Sequence, residues 1–158
     1  NKGDITIELY KNESPKTVEN FLKLATSGFY NGVKFHRVIN GFMIQAGDPL
    51  TKDDGAIDRW GTGGPGYTIP DELSSKEVYA EGYKAGVLAM ANTGRPNSGG
   101  SQFFIMHKDF PLPPQYTIFG KVVSGMEVVN AIATVKTYMP GQIDRPLENI
   151  VIAGVEVK

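Results

Sequence analysis

Apolar and polar residues alternate through "DITIELY", with Ile5, Ile7 and Leu9 set against Thr6 and Glu8. That is the period of a half-buried strand. The period then changes. In "SPKTVENFLKLATSG" the residues Val18, Phe21, Leu22 and Ala25 form one helical stripe, Ser14 is placed to cap it, Pro15 suits the first helical position and Gly28 closes it. Strands are predicted at "VKFHRV", "FMIQAG", "GVLAMAN", "SQFFIM", "TIFGKVV" and "NIVIAGVEVK". A second short helix is predicted in "GMEVVNAIATV", where Met126, Val129, Ile132 and Ala133 fall on one side. Between Asp48 and Ile69 lies a long glycine-rich loop, of a length that usually carries function. Many short strands with two helices predict a mainly β protein: a closed or nearly closed antiparallel barrel, capped at its ends by the helices and forming one domain over residues 1–158.

Composition narrows the picture. The 158 residues are 41% apolar and 21% charged, and the 19 glycines and 10 prolines are spread between apolar runs, which indicates many turns rather than disorder. A formal net charge of −1 gives no reason to expect a nucleic-acid or membrane partner. Zero cysteines exclude disulfides and thiolate chemistry and fit a reducing, cytoplasmic setting. No apolar run approaches a membrane span, and the N-terminus has no signal-peptide pattern. "NKGD" has hairpin-turn chemistry with only one flanking strand, so a strand is expected ahead of residue 1.

Several familiar chemistries fail on context. "GTGGPG", residues 61–66, has the dinucleotide-fingerprint glycines, but Pro65 and "YTIPDEL" do not open a helix, so it reads as turns. Asp48, Asp53, Asp54 and Asp58 lack calcium-loop spacing and read as a solvated acidic loop. His36 and His107 are too few for a catalytic zinc site and read as hydrogen-bonded structural histidines. Ser101, His107 and Asp109 lack the nucleophile elbow and lie too close in sequence to converge as a triad.

What remains is "FHRVINGFMIQAGDP", residues 35–49. Alternation places Phe35 with Arg37 on one strand face and Met43 with Gln45 on one face of the next. "GSQFFIM" repeats the arrangement, with Gln102 and Phe104 sharing a face while Phe103 and Ile105 point into the barrel. "MAN", residues 90–92, adds a small residue and an amide. Hydrogen-bonding side chains sharing a surface with apolar ones suit a site that grips an apolar group and handles one polar bond.

"FHRVINGFMIQAGDP", "GTGGPGY", "AMANTG" and "NSGGSQFFI" closely resemble the signature segments of the cyclophilins, in order from about Gly3 to Lys158. "GTGGPGYTIPDE" resembles the bacterial and archaeal-type branch of that family. The resemblance implies an eight-stranded antiparallel barrel with two capping helices and a groove on its outer face. It implies peptidyl-prolyl cis-trans isomerisation of peptides and of unfolded or folding proteins, by a monomer that uses no cofactor and no metal. Carried over by motif, Arg37 is the catalytic residue. Phe42, Met43, Phe104 and Leu112 form the proline pocket. Gln45 belongs to the same site, Gln102 and Asn92 bind the substrate backbone, Ala91 lines the groove, and Tyr116 stands where many members carry a histidine.

Three departures accompany the resemblance. The usual first strand is absent, "LTKDDGAIDRW" lengthens the loop over residues 50–60, and "FPLPPQY" puts Pro111 where a tryptophan often stands. The last of these implies weak binding of cyclosporin. Two rival readings are a non-catalytic proline-peptide binding module, which Arg37 disfavours, and a barrel holding an apolar ligand, which the inward Phe103 and Ile105 disfavour.

Overall fold

The computed structural model describes residues 2–158, so Asn1 of the expected "NKGD" turn lies outside the described residues. Among the described residues there are eight strands: β1 Thr6–Leu9, β2 Arg37–Ile39, β3 Met43–Ala46, β4 Val87–Met90, β5 Phe103–Met106, β6 Ile118–Ser124, β7 Thr137–Tyr138 and β8 Arg145–Pro146. The helices are α1 Pro15–Thr26, α2 Lys76–Ala80 and α3 Met126–Ala133. The first six strands form one antiparallel sheet in the order β1-β6-β4-β5-β3-β2, and β7 with β8 makes a small separate hairpin.

Strand alternation divides the apolar residues into two clusters. Val38, Ile44, Leu88, Phe103, Ile105 and Phe119 point to one side of the sheet, where Val18 and Phe21 of α1 and Val129 and Ile132 of α3 cover them. This is the interior of the fold. Each fully buried aliphatic or aromatic side chain there contributes about 1.5–3 kcal/mol relative to exposure. The intervening positions Met43, Ala89, Phe104, Met106 and Ile118 point the other way and form a second cluster on the opposite face.

Both predicted helices are present, with local corrections. Ser14 does not cap α1 with its side chain; it is buried and its hydroxyl donates 2.8 Å to the Ile118 carbonyl. The first-turn donors go instead to Glu72, which accepts from the Lys16 and Thr17 N–H groups at 3.1 and 2.8 Å and from the Thr17 hydroxyl at 2.7 Å. The carboxylate thereby caps the helix from a distant loop and meets the positive end of its dipole. The short helix α2, unexpected from the sequence, puts Tyr79 near Tyr83, and the two hydroxyls donate to the Tyr116 carbonyl at 3.0 and 2.8 Å.

The last predicted strand is reduced to a single bridge between Lys34 and Val151, flanked by hydrogen bonds joining residues 32–35 to residues 150–152. The start of "VKFHRV" is thus paired with the C-terminal segment, and only from Arg37 does it run as a strand beside β3. The change of partner interrupts the alternation. Phe35 is buried in the interior cluster, Val38 joins it there, and Arg37 points elsewhere. The expected sharing of one face by Phe35 and Arg37 is therefore incorrect, whereas Met43 and Gln45 follow strict alternation.

Candidate active site

The register aligns one row of residues across the sheet. Arg37 on β2 lies opposite Gln45 on β3, Gln45 opposite Phe104 on β5, and Phe104 opposite Ala89 on β4. Directly opposed residues stand about 4.5–5.5 Å apart, so this row is continuous. It begins with a guanidinium and an amide and ends in apolar surface. Met43, opposite Met106, lies in the next row on the same face, and Phe42, Ala91, Leu112 and Tyr116 complete the apolar cluster around Phe104. Met43 and Phe104 are buried, while Phe42, Ala91, Leu112 and Tyr116 are half-buried. The Tyr116 ring meets Phe104 edge-on at 5.4 Å, and Phe110 lies against Phe42 with ring centroids 4.3 Å apart.

Arg37, Gln45 and Asn92 line a common open cavity of about 320 Å³, with His36 in its wall. The ten residues singled out in the sequence therefore fall into two adjoining parts: a polar cavity around Arg37, Gln45 and Asn92, and the apolar patch. Gln102 links the first part to the loop beneath it. Its Oε1 accepts from Gln45 Nε2 at 3.0 Å, and its Nε2 donates to the Gly61 and Gly63 carbonyls at 2.9 and 2.8 Å. Asn92 uses its side chain internally, donating 2.9 Å to the Gln115 carbonyl and accepting from the Gly94 N–H at 2.9 Å.

The glycine-rich loop is held by Asp48, which is fully buried. One of its carboxylate oxygens accepts from the Leu50 N–H at 2.8 Å, and the other accepts from the N–H groups of Gly61 and Gly63. The expectation of a solvated acidic loop is correct for Asp53, Asp54 and Asp58, which are exposed, and wrong for Asp48. The signal was the adjoining "GTGG", whose free backbone donors are suited to wrap an acceptor. A Cβ on Gly63 would run into Asp48 and come within 2.9 Å of Leu50. Gly47, at φ +97°, lies so close beneath Ser101 and Gln102 that a Cβ would come within 2.8 Å of the Gln102 Cα.

His36 is buried, and its Nδ1 has no hydrogen-bond partner. The expectation of a hydrogen-bonded structural histidine is met at His107, whose Nδ1 accepts from the Gly41 N–H at 3.0 Å. Burial holds the His36 pKa below the usual imidazole range, with neighbouring Arg37 adding to the effect against the opposing influence of Asp48. Ser101, His107 and Asp109 serve separate structural bonds: the serine hydroxyl donates to the Gly47 carbonyl, and Asp109 accepts from Lys84 and from the Ala85 N–H.

Sequence reasoning missed the far wall of the cavity, which is built by Ile57, Trp60, Ile143 and Arg145. Trp60 and Ile57 belong to the lengthened loop, folded here as two 3₁₀ turns, Pro49–Lys52 and Asp54–Arg59. The length of "LTKDDGAIDRW" was a signal for added structure; its contact with a hairpin more than eighty residues away was not readable locally.

An apolar patch on one face of the sheet beside the Arg37 guanidinium, with helices covering the other face, agrees with the class that comparison with known proteins gives. Residues 1–157 match the family described as Cyclophilin type peptidyl-prolyl cis-trans isomerase/CLD, and the chain belongs to that family. Its activity is peptidyl-prolyl cis-trans isomerisation. Among its relatives, peptidyl-prolyl cis-trans isomerase B of Streptomyces anulatus is 43% identical, the match covering 100% of this chain and 93% of the relative. Peptidyl-prolyl cis-trans isomerase-like 3 of Gallus gallus is 42% identical, covering 98% and 90% of the two chains. A crystal structure of a Cryptosporidium parvum cyclophilin type isomerase superposes with a TM-score of 0.84 at 36% identity, over 98% of this chain and 90% of the other. The same parasite protein has been solved in the presence of the dipeptide Ala-Pro.

Proposed function

We propose that Arg37 is the catalytic residue and that the proline ring seats on Phe42, Met43, Phe104 and Leu112, with Ala91 and Tyr116 at the edges of that pocket. Gln45 and Gln102 hold the polar side, and Gln102 with Asn92 binds the substrate backbone. Because the Asn92 side chain is engaged internally, its main chain is the part that meets substrate. The observation that carries this reading is the Arg37 guanidinium itself. It is half-buried at the cavity edge, separated from Phe104 along the row only by Gln45, and no acceptor binds it among the described residues.

The chemical task is rotation about an amide whose barrier is about 18–20 kcal/mol. No bond breaks. Twisting removes conjugation and makes the proline nitrogen a better hydrogen-bond acceptor. A guanidinium aimed at that nitrogen binds the twisted state better than either planar state, which is what lowers a barrier. A rate gain of roughly 10⁵ needs only about 7 kcal/mol of such differential binding. Arginine suits the role because its charge is permanent and its donors are fixed in a planar fork. The test is exchange NMR on an X-Pro peptide. Arg37→Ala should keep the fold and lose about 100-fold or more in rate, comparable to deleting one transition-state donor elsewhere. Arg37→Lys should also be impaired. Near-wild-type exchange in Arg37→Ala would overturn the assignment.

The substrates are proline-containing peptides and unfolded or folding protein clients, met by a monomer. The Ala-Pro dipeptide used with the Cryptosporidium relative supports a proline-centred site. "GTGGPGYTIPDE" supports placement in the bacterial and archaeal-type branch, although the relatives at similar identity include eukaryotic proteins. Cyclosporin binding is weak in this reading, because Pro111 offers no side-chain donor.

A further inference from the structure

The lengthened loop and the β7–β8 hairpin meet beside Arg37, and the isomerisation of an isolated X-Pro bond uses neither. The hairpin is brought there by the Val38 N–H, which donates 2.8 Å to the Asp144 carbonyl, so that the chain at 144–145 runs alongside β2. Arg145 is half-buried there, with two aromatic rings near its guanidinium. Its guanidinium carbon lies 6.0 Å from the Trp60 ring centroid and 5.1 Å from that of Tyr138. Trp60 is itself fixed, its indole N–H donating 3.1 Å to the Asp53 carbonyl and Lys34 Nζ lying 4.9 Å over the ring.

A guanidinium held near aromatic rings by cation–π attraction keeps its N–H donors for hydrogen bonding. Among the described residues, no carboxylate or carbonyl pairs with the side chain of Arg145 or of Arg37, although both line the same cavity. No aspartate or glutamate lines that cavity. Asp54, which shares a neighbouring depression with Arg145, is taken by Lys34 at 2.8 Å. Asp144 is buried, and its carboxylate accepts from the Gly141 N–H at 2.6 Å. Two permanent positive charges therefore face one recess with apolar walls at Ile57, Trp60 and Ile143.

We propose that this recess is an anion-accepting subsite, and that Arg145 determines specificity for substrates carrying an anionic side chain close to the proline. The ligand chemistry is a carboxylate or a phosphoryl ester on a short stem. The stem lies against Ile57 and Trp60 while the anion meets the donor edge of Arg145. The inference rests on the reading of Arg37 as the isomerisation site. It gives the loop over residues 50–60 a function, since Trp60 supplies one of the rings that hold Arg145 in place.

The test is exchange NMR on X-Pro peptides in which glutamate, glutamine or phosphoserine is scanned from three positions before the proline to two after it. At one position or more, glutamate should raise kcat/KM over glutamine by about 5- to 30-fold, the range for a partly exposed charge-assisted pair, and less at high salt. Arg145→Gln should remove that ratio while leaving the glutamine peptides within about twofold, a criterion set by the expectation that surface changes are near neutral. Arg145→Lys should retain part of it, which separates lost charge from local misfolding. The phosphoserine arm shows whether the recess prefers the larger anion. Glutamate and glutamine peptides turning over alike at every position would overturn the proposal, as would a ratio unchanged by Arg145→Gln. Failure of the underlying reading is visible separately, as glutamine peptides insensitive to Arg37→Ala.

Discussion

Replacing Asp48 by asparagine should loosen the whole polar side of the site without touching a residue that meets substrate. The carboxylate is fully buried and accepts three backbone N–H groups, those of Leu50, Gly61 and Gly63. An asparagine can keep its single oxygen toward the two glycines, but its NH₂ must then face the Leu50 N–H, donor against donor. One bond to a charged acceptor is lost, at about 1.5–3 kcal/mol, and the other two fall from charged to neutral, at about 0.5–1.5 kcal/mol each. The sum is about 2.5–6 kcal/mol, a large share of the stability of an ordinary domain. For a chain of this size that corresponds to a fall in Tm of roughly 5–24 °C, with the lower end expected if the loop opens on its own. Gly61 and Gly63 also present the carbonyls that hold Gln102, and Gln102 holds Gln45. Exchange NMR on an X-Pro peptide should therefore show reduced kcat/KM at temperatures where the variant is still folded. A double-mutant cycle with Gln102→Ala should show strong coupling, because both substitutions release the same loop. A Tm within about 2 °C of wild type, together with unchanged turnover, would refute the network; that margin corresponds to no more than about 1 kcal/mol in a domain this large.

Three further outcomes follow from single contacts. Stability should fall on acidification from about pH 6.5: burial lowers the folded-state pKa of His36 and His107, so the unfolded state takes up protons first. Stabilisation by these histidines is complete above the unfolded value and is lost as pH falls toward and through the folded ones. Asp54, held low chiefly by its hydrogen bond from Lys34, and Asp109, held low chiefly by the Ala85 N–H, act at lower pH, below about 4. Urea midpoints that are flat between pH 7.5 and 5 would contradict this. Glu72→Ala should cost about 1–2 kcal/mol by uncapping α1, seen as a lower Tm with near-normal turnover; an unchanged Tm would mean that water replaces the cap at no cost. Pro111→Trp should tighten cyclosporin inhibition by roughly 30-fold, near the value of one hydrogen bond with some apolar burial, because Phe110 on Phe42 already supplies part of the packing. Low-nanomolar inhibition of the unmodified protein, unchanged by the substitution, would refute the role given to Pro111.

The parts of the site readable in the sequence are those that depend on a period of two. Met43 and Gln45, and Phe104 against Phe103 and Ile105, occupy the faces that alternation assigns, because β3 and β5 are flanked by strands on both sides and cannot slip without burying an amide. Phe35 and Arg37 violated the same rule at the sheet edge, where the chain leaves Ile150 and takes up β3 within three residues. Alternation holds only while the pairing partner is constant, and no local pattern marks the exchange. The remaining misses share a different cause. Glu72 meets Thr17 across 55 residues and Gln102 meets Gly61 across 41, while Trp60 and Arg145 come from a loop and a two-residue strand with no periodicity to read. Each is a polar or charged group whose partner is supplied by the completed fold. Apolar residues need only a common face to find one another, and that face is set by local period. An acceptor such as Asp48 or a guanidinium such as Arg145 needs particular partners at particular distances. Such groups are where a structure adds most to a sequence, and here they surround the arginine proposed to be catalytic.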